Sequence, residues 1–313
     1  MSEKRKNMKL LKPKIDVVFQ SLFSKKNEKI TKAFAEAILD EKVRKITIND
    51  DKELFRERPE DKLGILDLEL DINDSEKVDV EIQLVDRSNI QERLLFYFSK
   101  LYYNEVKKGD DYKKAKRVVM VAILDYDLDL TKEIKNMETI WQLREKNARD
   151  LVLTDKVEIA IIELSKVRAE YEKNKNNKKA QWALFIDDPN TKEVEEIMKE
   201  NKDIEEAIVT VHKMTEDEKM RRLADLREKA IMDEKAIRRK GYEDGHALGH
   251  EAGLKEGIEE GIKEGIQQGI QQGQKEGHES EKINIAKKLK SKRMSIEEIA
   301  EITGLEEEKI KKL

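Results

Sequence analysis

Residues 64–84 read GILDLELDINDSEKVDVEIQL, and this stretch decides the fold. Apolar and polar residues alternate on both sides of the polar segment 72–75, which predicts two β-strands joined by a turn. A hairpin of this length can bring Glu81 near Asp67. Glu81 and Gln83 are two residues apart and therefore point to the same face of the second strand.

Two carboxylates that converge at the edge of a sheet form a hard oxygen site suited to Mg²⁺, which is what a metal-dependent nuclease needs. The spacing alone is weak evidence, because a chain with 68 acidic residues often produces it as a solvated hairpin face. By parity, Glu69 and Asp71 point the same way as Asp67, and Asp79 points the same way as Glu81. These neighbouring acids are therefore alternatives for the same role.

The composition limits the possible partners and sites. The chain has 313 residues and a net charge of −4, so any contact with nucleic acid has to come from local basic patches and metal. It has no cysteine, which excludes disulfides, thiolate zinc sites and a cysteine nucleophile, and fits a reducing cytosol. Residues 1–6 carry no secretory pattern, and the longest apolar run, 118–124, is too short for a membrane span. We expect a cytoplasmic protein without a membrane segment.

The pattern of periodicities predicts a mixed α/β first half followed by charged helices. Helices are expected around 16–23, 28–39, 89–107 and 131–147, and strands around 43–48, 118–124 and 157–164. We expect four parts: a core over 1–166, a helical extension over 167–240, a glycine-repeat helix or linker over 241–280, and a small helical tail over 281–313.

Glycine recurs at every fourth position from 241 to 277, and these are ten of the thirteen glycines in the protein. Each interior glycine costs a helix roughly 0.8–1 kcal/mol relative to alanine, so an isolated helix here is marginal. Isoleucine follows the glycine in four consecutive repeats, at 258, 262, 266 and 270. A glycine groove beside an isoleucine ridge favours close helix association, and a flexible linker is the alternative.

The last thirty residues predict a compact helical tail. A capping box begins at Ser295, and Gly304 predicts a turn before the final helix. The outline resembles a helix-turn-helix, but the leading acids of the last helix, 306–308, would repel phosphate, so a protein-binding or capping bundle is favoured. His246 and His250 have the i, i+4 spacing of a metal pair, but they lie inside the glycine repeat, which argues against that role.

Several motifs between residues 14 and 164 share their order and spacing with one known family. The motifs are Lys14-x-Asp16-x-x-Phe19-x-x-Leu22-Phe23, Ile65-Leu66-Asp67, Glu81-Ile82-Gln83, Glu92-Arg93-x-x-x-Tyr97-x-x-x-Leu101-Tyr102, Gly109-x-x-Tyr112 and Ile162-Glu163-Leu164. The chain resembles the Rpn family, the recombination-promoting nucleases within the PD-(D/E)XK superfamily. The glycine repeat, followed by residues 294–300, also resembles the carboxyl-terminal region of many members.

This resemblance implies a restriction-endonuclease-like α/β fold, with a mixed-sheet core, a helical carboxyl-terminal region and a long glycine-repeat helix. It also implies Mg²⁺-dependent cleavage of DNA, with Mn²⁺ or Ca²⁺ as other candidate cations. Asp67 and Glu81 would be the metal ligands, and the carbonyl of Ile82 could add a third. The metal would activate the attacking water and stabilise the leaving oxygen.

Gln83 stands where the superfamily usually has a catalytic lysine. An amide can orient a water molecule, but it can neither supply charge nor take up a proton. Arg93 or Lys100 on the following helix could supply the charge. Arg93, Tyr97 and Lys100 are also our candidates for binding the substrate phosphate, although a structural salt bridge and a half-buried ring are equally consistent with Arg93 and Tyr97. Asp16 is a candidate for either a helix N-cap or an acid near the metal.

The sequence therefore predicts a DNA endonuclease of the Rpn type, associated with recombination or mobile elements, that self-associates through residues 241–313. The main alternative is a catalytically inactive nuclease-fold protein that binds DNA or other proteins. A third hypothesis is that the glycine-rich tail is the functional part and the core is a scaffold for assembly.

Overall fold

The fold is described from a computed structural model that covers residues 8–49 and 67–313. Ile65 and Leu66 of the first strand motif, and residues 1–6, lie outside the described residues. The chain divides into two compact units, Met1–Ala236 and Ile237–Leu313.

The described residues of the first unit form one six-stranded sheet with the order β1-β2-β3-β4-β6-β5. Its strands are β1 Ile46–Asn49, β2 Leu68–Ile72, β3 Glu76–Gln83, β4 Arg117–Leu124, β5 Glu138–Trp141 and β6 Val157–Glu163. The first three strands are antiparallel neighbours, β3, β4 and β6 are parallel, and β5 closes the edge antiparallel to β6. The predicted mixed-sheet α/β core is confirmed.

The hairpin that decides the fold is present as β2 and β3. Its turn places Asn73 and Asp74 at φ values of 52° and 59°, a left-handed conformation that these two residue types tolerate. Leu68 and Ile72 on β2 and Val80 on β3 are buried in the larger core. Because side chains alternate along a strand, the acids between them face the opposite side of the sheet.

Ten α-helices occur in the described part of the chain. They are α1 Asp16–Leu22, α2 Glu28–Leu39, α3 Ile90–Asn104, α4 Leu164–Lys173, α5 Lys178–Asp187, α6 Lys192–Glu200, α7 Lys202–Glu216, α8 Glu218–Ser291, α9 Ile296–Thr303 and α10 Glu307–Lys312. Helices α1, α2 and α4 to α7 bury their apolar side chains against one face of the sheet, where Phe34 and Trp182 pack edge to face at 5.5 Å. Helix α3 covers the other face through Leu94, Phe98 and Leu101.

The helix predicted over 131–147 is wrong. A single turn over residues 129–131 is followed by strand β5, whose Thr139 pairs with Ile161 of β6. β5 contains the β-branched Thr139 and Ile140 together with Trp141, and these side chains favour a pleated surface. Pairing with the open edge of β6 therefore outweighs the weak helical periodicity of the segment.

The second unit, Ile237–Leu313, is helical throughout its regular structure. The glycine repeat lies inside α8, so this segment is a helix. At its end a small core forms around Ala286, Ile299, Leu305 and Ile310. The predicted capping box of Ser295 and Glu298 opens α9, which ends where Gly304 takes a φ of 67°.

No helix in the described ranges, 8–49 and 67–313, combines the length and the apolar character needed to cross a membrane.

Candidate active site

The β2–β3 hairpin sets Asp67 and Glu81 opposite each other. Leu68 pairs with Val80 in the antiparallel register. Asp67 and Glu81 therefore occupy the next pair of opposite positions, on the side away from the turn. Asp67 Oδ2 accepts a hydrogen bond from the Ile82 backbone N–H at 2.8 Å. The convergence that the sequence predicted for Asp67 and Glu81 is therefore present.

The side chains of Asp79 and Glu81 are almost entirely buried under α3, with 0% and 1% of their surfaces exposed. Burial, with the Asp67 charge adding to it, raises the pKa of Glu81 to about 8. Burial also raises the pKa of Asp67. The pKa of Asp79 is raised well above its ordinary range, first by burial and then by the charges of Glu81 and Asp67. These three carboxyl groups resist ionisation in the absence of a cation.

Several oxygens of this group have no hydrogen-bond donor. Within the described residues, both carboxylate oxygens of Asp79 and Oε1 of Glu81 are buried without a partner. Arg93, whose Nη2 lies 3.4 Å from Glu81 Oε2, is a cation that lowers the pKa of all three acids of this group. When ionised, these acids carry three negative charges against the single positive charge of Arg93. The deficit of two charges and the set of oxygen ligands fit a bound divalent cation.

The site offers two facing carboxylates rather than a complete cage of side chains. Within the described ranges, no three histidine, cysteine, aspartate or glutamate side chains are arranged so that they could hold a metal by themselves. The remaining ligands would have to be backbone oxygens, water or phosphate, which is usual for Mg²⁺. The carbonyl of Ile82 as a third ligand stays a prediction.

The neighbouring acids on β2 are engaged elsewhere. Glu69 accepts a hydrogen bond from Lys77 at 2.8 Å, and Asp71 accepts one from Lys116 at 2.6 Å. The Lys116 hydrogen bond helps to lower the pKa of Asp71 although partial burial opposes it. These pairings leave Asp67, rather than Glu69 or Asp71, as the β2 acid beside Glu81.

Helix α3 places Arg93 and Tyr97 over the site. Arg93 Nη1 donates to Gln83 Oε1 at 3.2 Å, and Gln83 Nε2 donates to Glu81 Oε2 at 3.3 Å. The Arg93 guanidinium lies 5.2 Å from the Tyr97 ring centroid, and burial raises the pKa of the Tyr97 hydroxyl. The salt bridge expected as a structural role for Arg93 is therefore present, and the Tyr97 ring, expected to be half-buried, is buried within the candidate site.

Lys100 lies two turns beyond Arg93 on α3. Its ammonium group is 5.1 Å from the centroid of the Phe96 ring. Of the two residues that could replace the missing lysine, the structure brings Arg93 to Gln83 and places Lys100 over Phe96.

Asp16 is not an N-cap. Ile15 holds the cap position of α1, because the preceding residues form a turn in which the Ile15 N–H bonds to the Lys12 carbonyl. The Asp16 carboxylate instead lies 3.4 Å from Nε of Arg227, and its charge helps to raise the pKa of Asp67. Asp16 is therefore an acid within electrostatic reach of the site.

The amino-terminal part of α8, residues 218–236, also packs beside the site, and the sequence analysis did not foresee this. Ala224 is buried with Ile15 and Val18 of the α1 region. Glu234 accepts two hydrogen bonds from Arg87, each 2.9 Å long. These contacts span more than a hundred residues of chain, and only the seven-residue spacing of Ala224 and Ile231 hinted at an inward face.

Residues 13–241 match the family model described as PD-(D/E)XK nuclease family transposase. No curated protein and no solved structure matches the chain. The match includes the hairpin, the two facing carboxylates, α3 and the α8 segment beside them. Because it covers more than half of the sequence, the chain belongs to the PD-(D/E)XK nuclease family transposases.

Proposed function

We propose that this protein is a divalent-cation-dependent DNA endonuclease that promotes recombination or serves mobile elements. The family is one of nucleases related to mobile elements, which supports DNA as the substrate. The observation that carries the proposal is the pairing of buried Glu81 with half-buried Asp67. Together with Asp79 and Arg93 they leave two negative charges uncompensated, and the buried oxygens of Asp79 and Glu81 include some without donors.

Asp67, Glu81 and the carbonyl of Ile82 would hold the cation, with Mg²⁺ as the preferred ion and Mn²⁺ or Ca²⁺ as alternatives. A bound divalent cation supplies Lewis acidity for the phosphate and a lowered pKa for the attacking water. The protein contributes the fixed geometry, since the Ile82 N–H orients the Asp67 carboxylate and Gln83 orients that of Glu81.

Gln83 and Arg93 together replace the lysine of the superfamily motif. Gln83 holds a polar group on the same strand face as Glu81, where it can orient a water molecule by hydrogen bonding. Arg93 supplies the positive charge through its hydrogen bond to Gln83 Oε1. The Arg93 side chain is 27% exposed, so part of the guanidinium is accessible to a substrate phosphate. Tyr97 and Lys100 complete the proposed substrate-binding residues on the same helix.

The test is plasmid cleavage. We expect nicking of supercoiled plasmid in Mg²⁺ or Mn²⁺ and none in EDTA. Asp67→Ala and Glu81→Ala should each abolish it, because one carboxylate cannot hold the cation in place. Asp71→Asn is the matched control: it removes a charge from the same strand and face, at a carboxylate already bonded to Lys116. Nicking that survives in both alanine variants would refute the metal assignment.

A second candidate function has one observation in its favour. Arg93 bridges Gln83 and Glu81 and so neutralises part of the site without any metal. A catalytically inactive protein that binds DNA or other proteins would keep this arrangement permanently. Purified protein that binds duplex DNA but leaves plasmid intact in both cations would favour this candidate.

We also propose homo-oligomerisation through residues 241–313. The side chains of Ile258, Ile262, Ile266 and Ile270 on α8 are 55–59% exposed. Apart from the adjoining residues and the backbone of the helix itself, no atom of the described residues lies within 4 Å of the position that a Cβ would take at the neighbouring glycines. An exposed apolar ridge beside an open glycine groove is suited to close approach of a second helix, and burial of the ridge would offset the low helix propensity of glycine.

A further inference from the structure

A cavity of about 220 Å³ opens beside Gln83. It lies between the start of α1, the loop after β3 and the 218–236 segment of α8. Its charged lining residues are Lys14, Asp16, Arg87, Arg227 and Glu234. Three of these are basic and two are acidic, and the three basic groups face a cavity that adjoins the acidic site.

Two of the three basic residues are fixed by strong partners. Lys14 is bonded to Asp125 at 2.8 Å and to Asp187 at 2.7 Å. Arg87 makes the paired hydrogen bonds to Glu234, a planar arrangement that leaves its guanidinium little freedom. These residues hold the walls of the cavity together.

Arg227 is held differently. Its Nε lies 3.4 Å from Oδ2 of Asp16, which also lines the cavity, and its side chain is 58% exposed. An exposed ion pair of this kind contributes little to stability, so replacing its carboxylate by another anion costs little free energy. The position is nevertheless fixed, because Ala224, one turn before it, is buried against Ile15 and Val18.

The cavity adjoins the strand end that carries the two facing carboxylates, because Ile82 and Gln83 line it. Asp16 lines it together with Ile82 and Gln83, and the Asp16 charge helps to raise the pKa of Asp67. A DNA strand with one phosphate at Asp67 and Glu81 places its adjoining phosphates a few ångströms away, since successive phosphates are separated by about one nucleotide. The cavity adjoins the site on the Gln83 side and presents Arg227 there.

We propose that this cavity is the subsite for a DNA backbone phosphate next to the cut, and that Arg227 binds it after releasing Asp16. A phosphate presents more acceptor oxygens than a carboxylate and matches the guanidinium fork, so it competes well with Asp16. In this arrangement the ion pair with Asp16 keeps the Arg227 side chain at the cavity when no DNA is bound. The inference rests on the proposed function, because it takes DNA as the substrate.

The experiment measures binding of a fluorescent DNA duplex by anisotropy, in EDTA, over a series of KCl concentrations. Arg227→Gln should weaken binding roughly tenfold at low salt and reduce the slope of log K against log salt by about one. Lys229→Gln is the matched control, since it removes the same charge from an exposed position two residues along α8, on the opposite face. Asp16→Asn should tighten binding, because it removes the competing carboxylate.

Equal losses in Arg227→Gln and Lys229→Gln would overturn the subsite, and so would an Asp16→Asn variant that binds no more tightly than the wild type. Absence of any DNA binding by the wild type in EDTA would also overturn it. A further arm adds inorganic phosphate at constant ionic strength. If Arg227→Gln alters competition by free phosphate but not the affinity for duplex, the site takes a free anion and the proposal fails. Plasmid nicking tests the nuclease activity separately, so the nuclease proposal and the Arg227 subsite can be refuted independently.

Discussion

The raised pKa of Glu81 predicts an unusual pH dependence of stability in the metal-free protein. Its carboxyl shifts from an ordinary pKa of 4.5 to about 8 in the folded state. A carboxyl with a higher pKa in the folded state binds its proton more tightly there. Its contribution to stability is therefore complete below pH 4.5 and is lost as the pH rises towards 8.

The magnitude follows from the shift. Each pKa unit corresponds to about 1.36 kcal/mol, so Glu81 costs on the order of 5 kcal/mol once it is forced to ionise in the fold. That is a large part of the 5–15 kcal/mol typical of a whole domain. Glu81→Gln replaces the carboxyl by an amide of the same shape that does not ionise. The variant should match the wild type near pH 4.5 and be more stable than it at pH 8 and above.

Urea denaturation in EDTA at intervals from pH 5 to pH 9 measures this difference. The free energy of unfolding of the wild type should fall more steeply with pH than that of Glu81→Gln. Mg²⁺ added at pH 8 should raise the stability of the wild type, since ligand binding to the folded state stabilises it, and should leave the variant unchanged. Parallel curves for the two proteins in EDTA would refute the burial of an ionisable Glu81, and with it the charge deficit of the site.

Two further predictions concern other parts of the chain. Glu163 is buried and accepts hydrogen bonds from the Leu128 N–H, from Thr131 and from Lys166. Glu163→Ala should therefore lower the free energy of unfolding in urea by about 3–5 kcal/mol and leave the Mg²⁺ affinity unchanged. A variant of full stability that has lost Mg²⁺ binding would show a role at the site instead. Truncation after Lys240 should reduce the molecular mass measured by light scattering to that of a monomer. If the full-length and truncated proteins contain the same number of chains per particle, the association proposal is refuted.

The fold was predictable wherever periodicity and burial agree. The alternation in residues 68–83 and the stripe along α3 each reflect one buried face, and the corresponding elements form. Strand β5 was missed because only its pairing with β6 makes it a strand, and that partner lies some twenty residues further along the chain. The helical state of the glycine repeat was left open, because local propensity argued against the helix that the four-residue pattern allows.

The site was predictable in its strand residues and less so in its surroundings. Asp67 and Glu81 face each other because parity and hairpin register are local properties. The identity of the charged partner on α3 depended on the rotation of that helix, which sequence patterns fix only approximately. The sequence of residues 218–236 does not indicate that they pack against α1, since Arg227 and Asp16 are over two hundred positions apart and the spacing of Ala224 and Ile231 indicates only an inward face.

In the proposed function, Gln83 and Arg93 divide two tasks that a single lysine performs in the superfamily motif. A lysine on β3 would bring both a hydrogen-bond donor and a charge to the attacking water. Here the strand supplies only the amide, and the charge arrives on Arg93 from α3, bonded to Gln83 Oε1 at 3.2 Å. A guanidinium never gives up its proton at neutral pH, so Arg93 can stabilise negative charge but cannot act as a base. It follows that Arg93→Lys should not restore a lysine-type site, because a single nitrogen does not reproduce the planar fork whose two separate nitrogens bond Gln83 and Glu81.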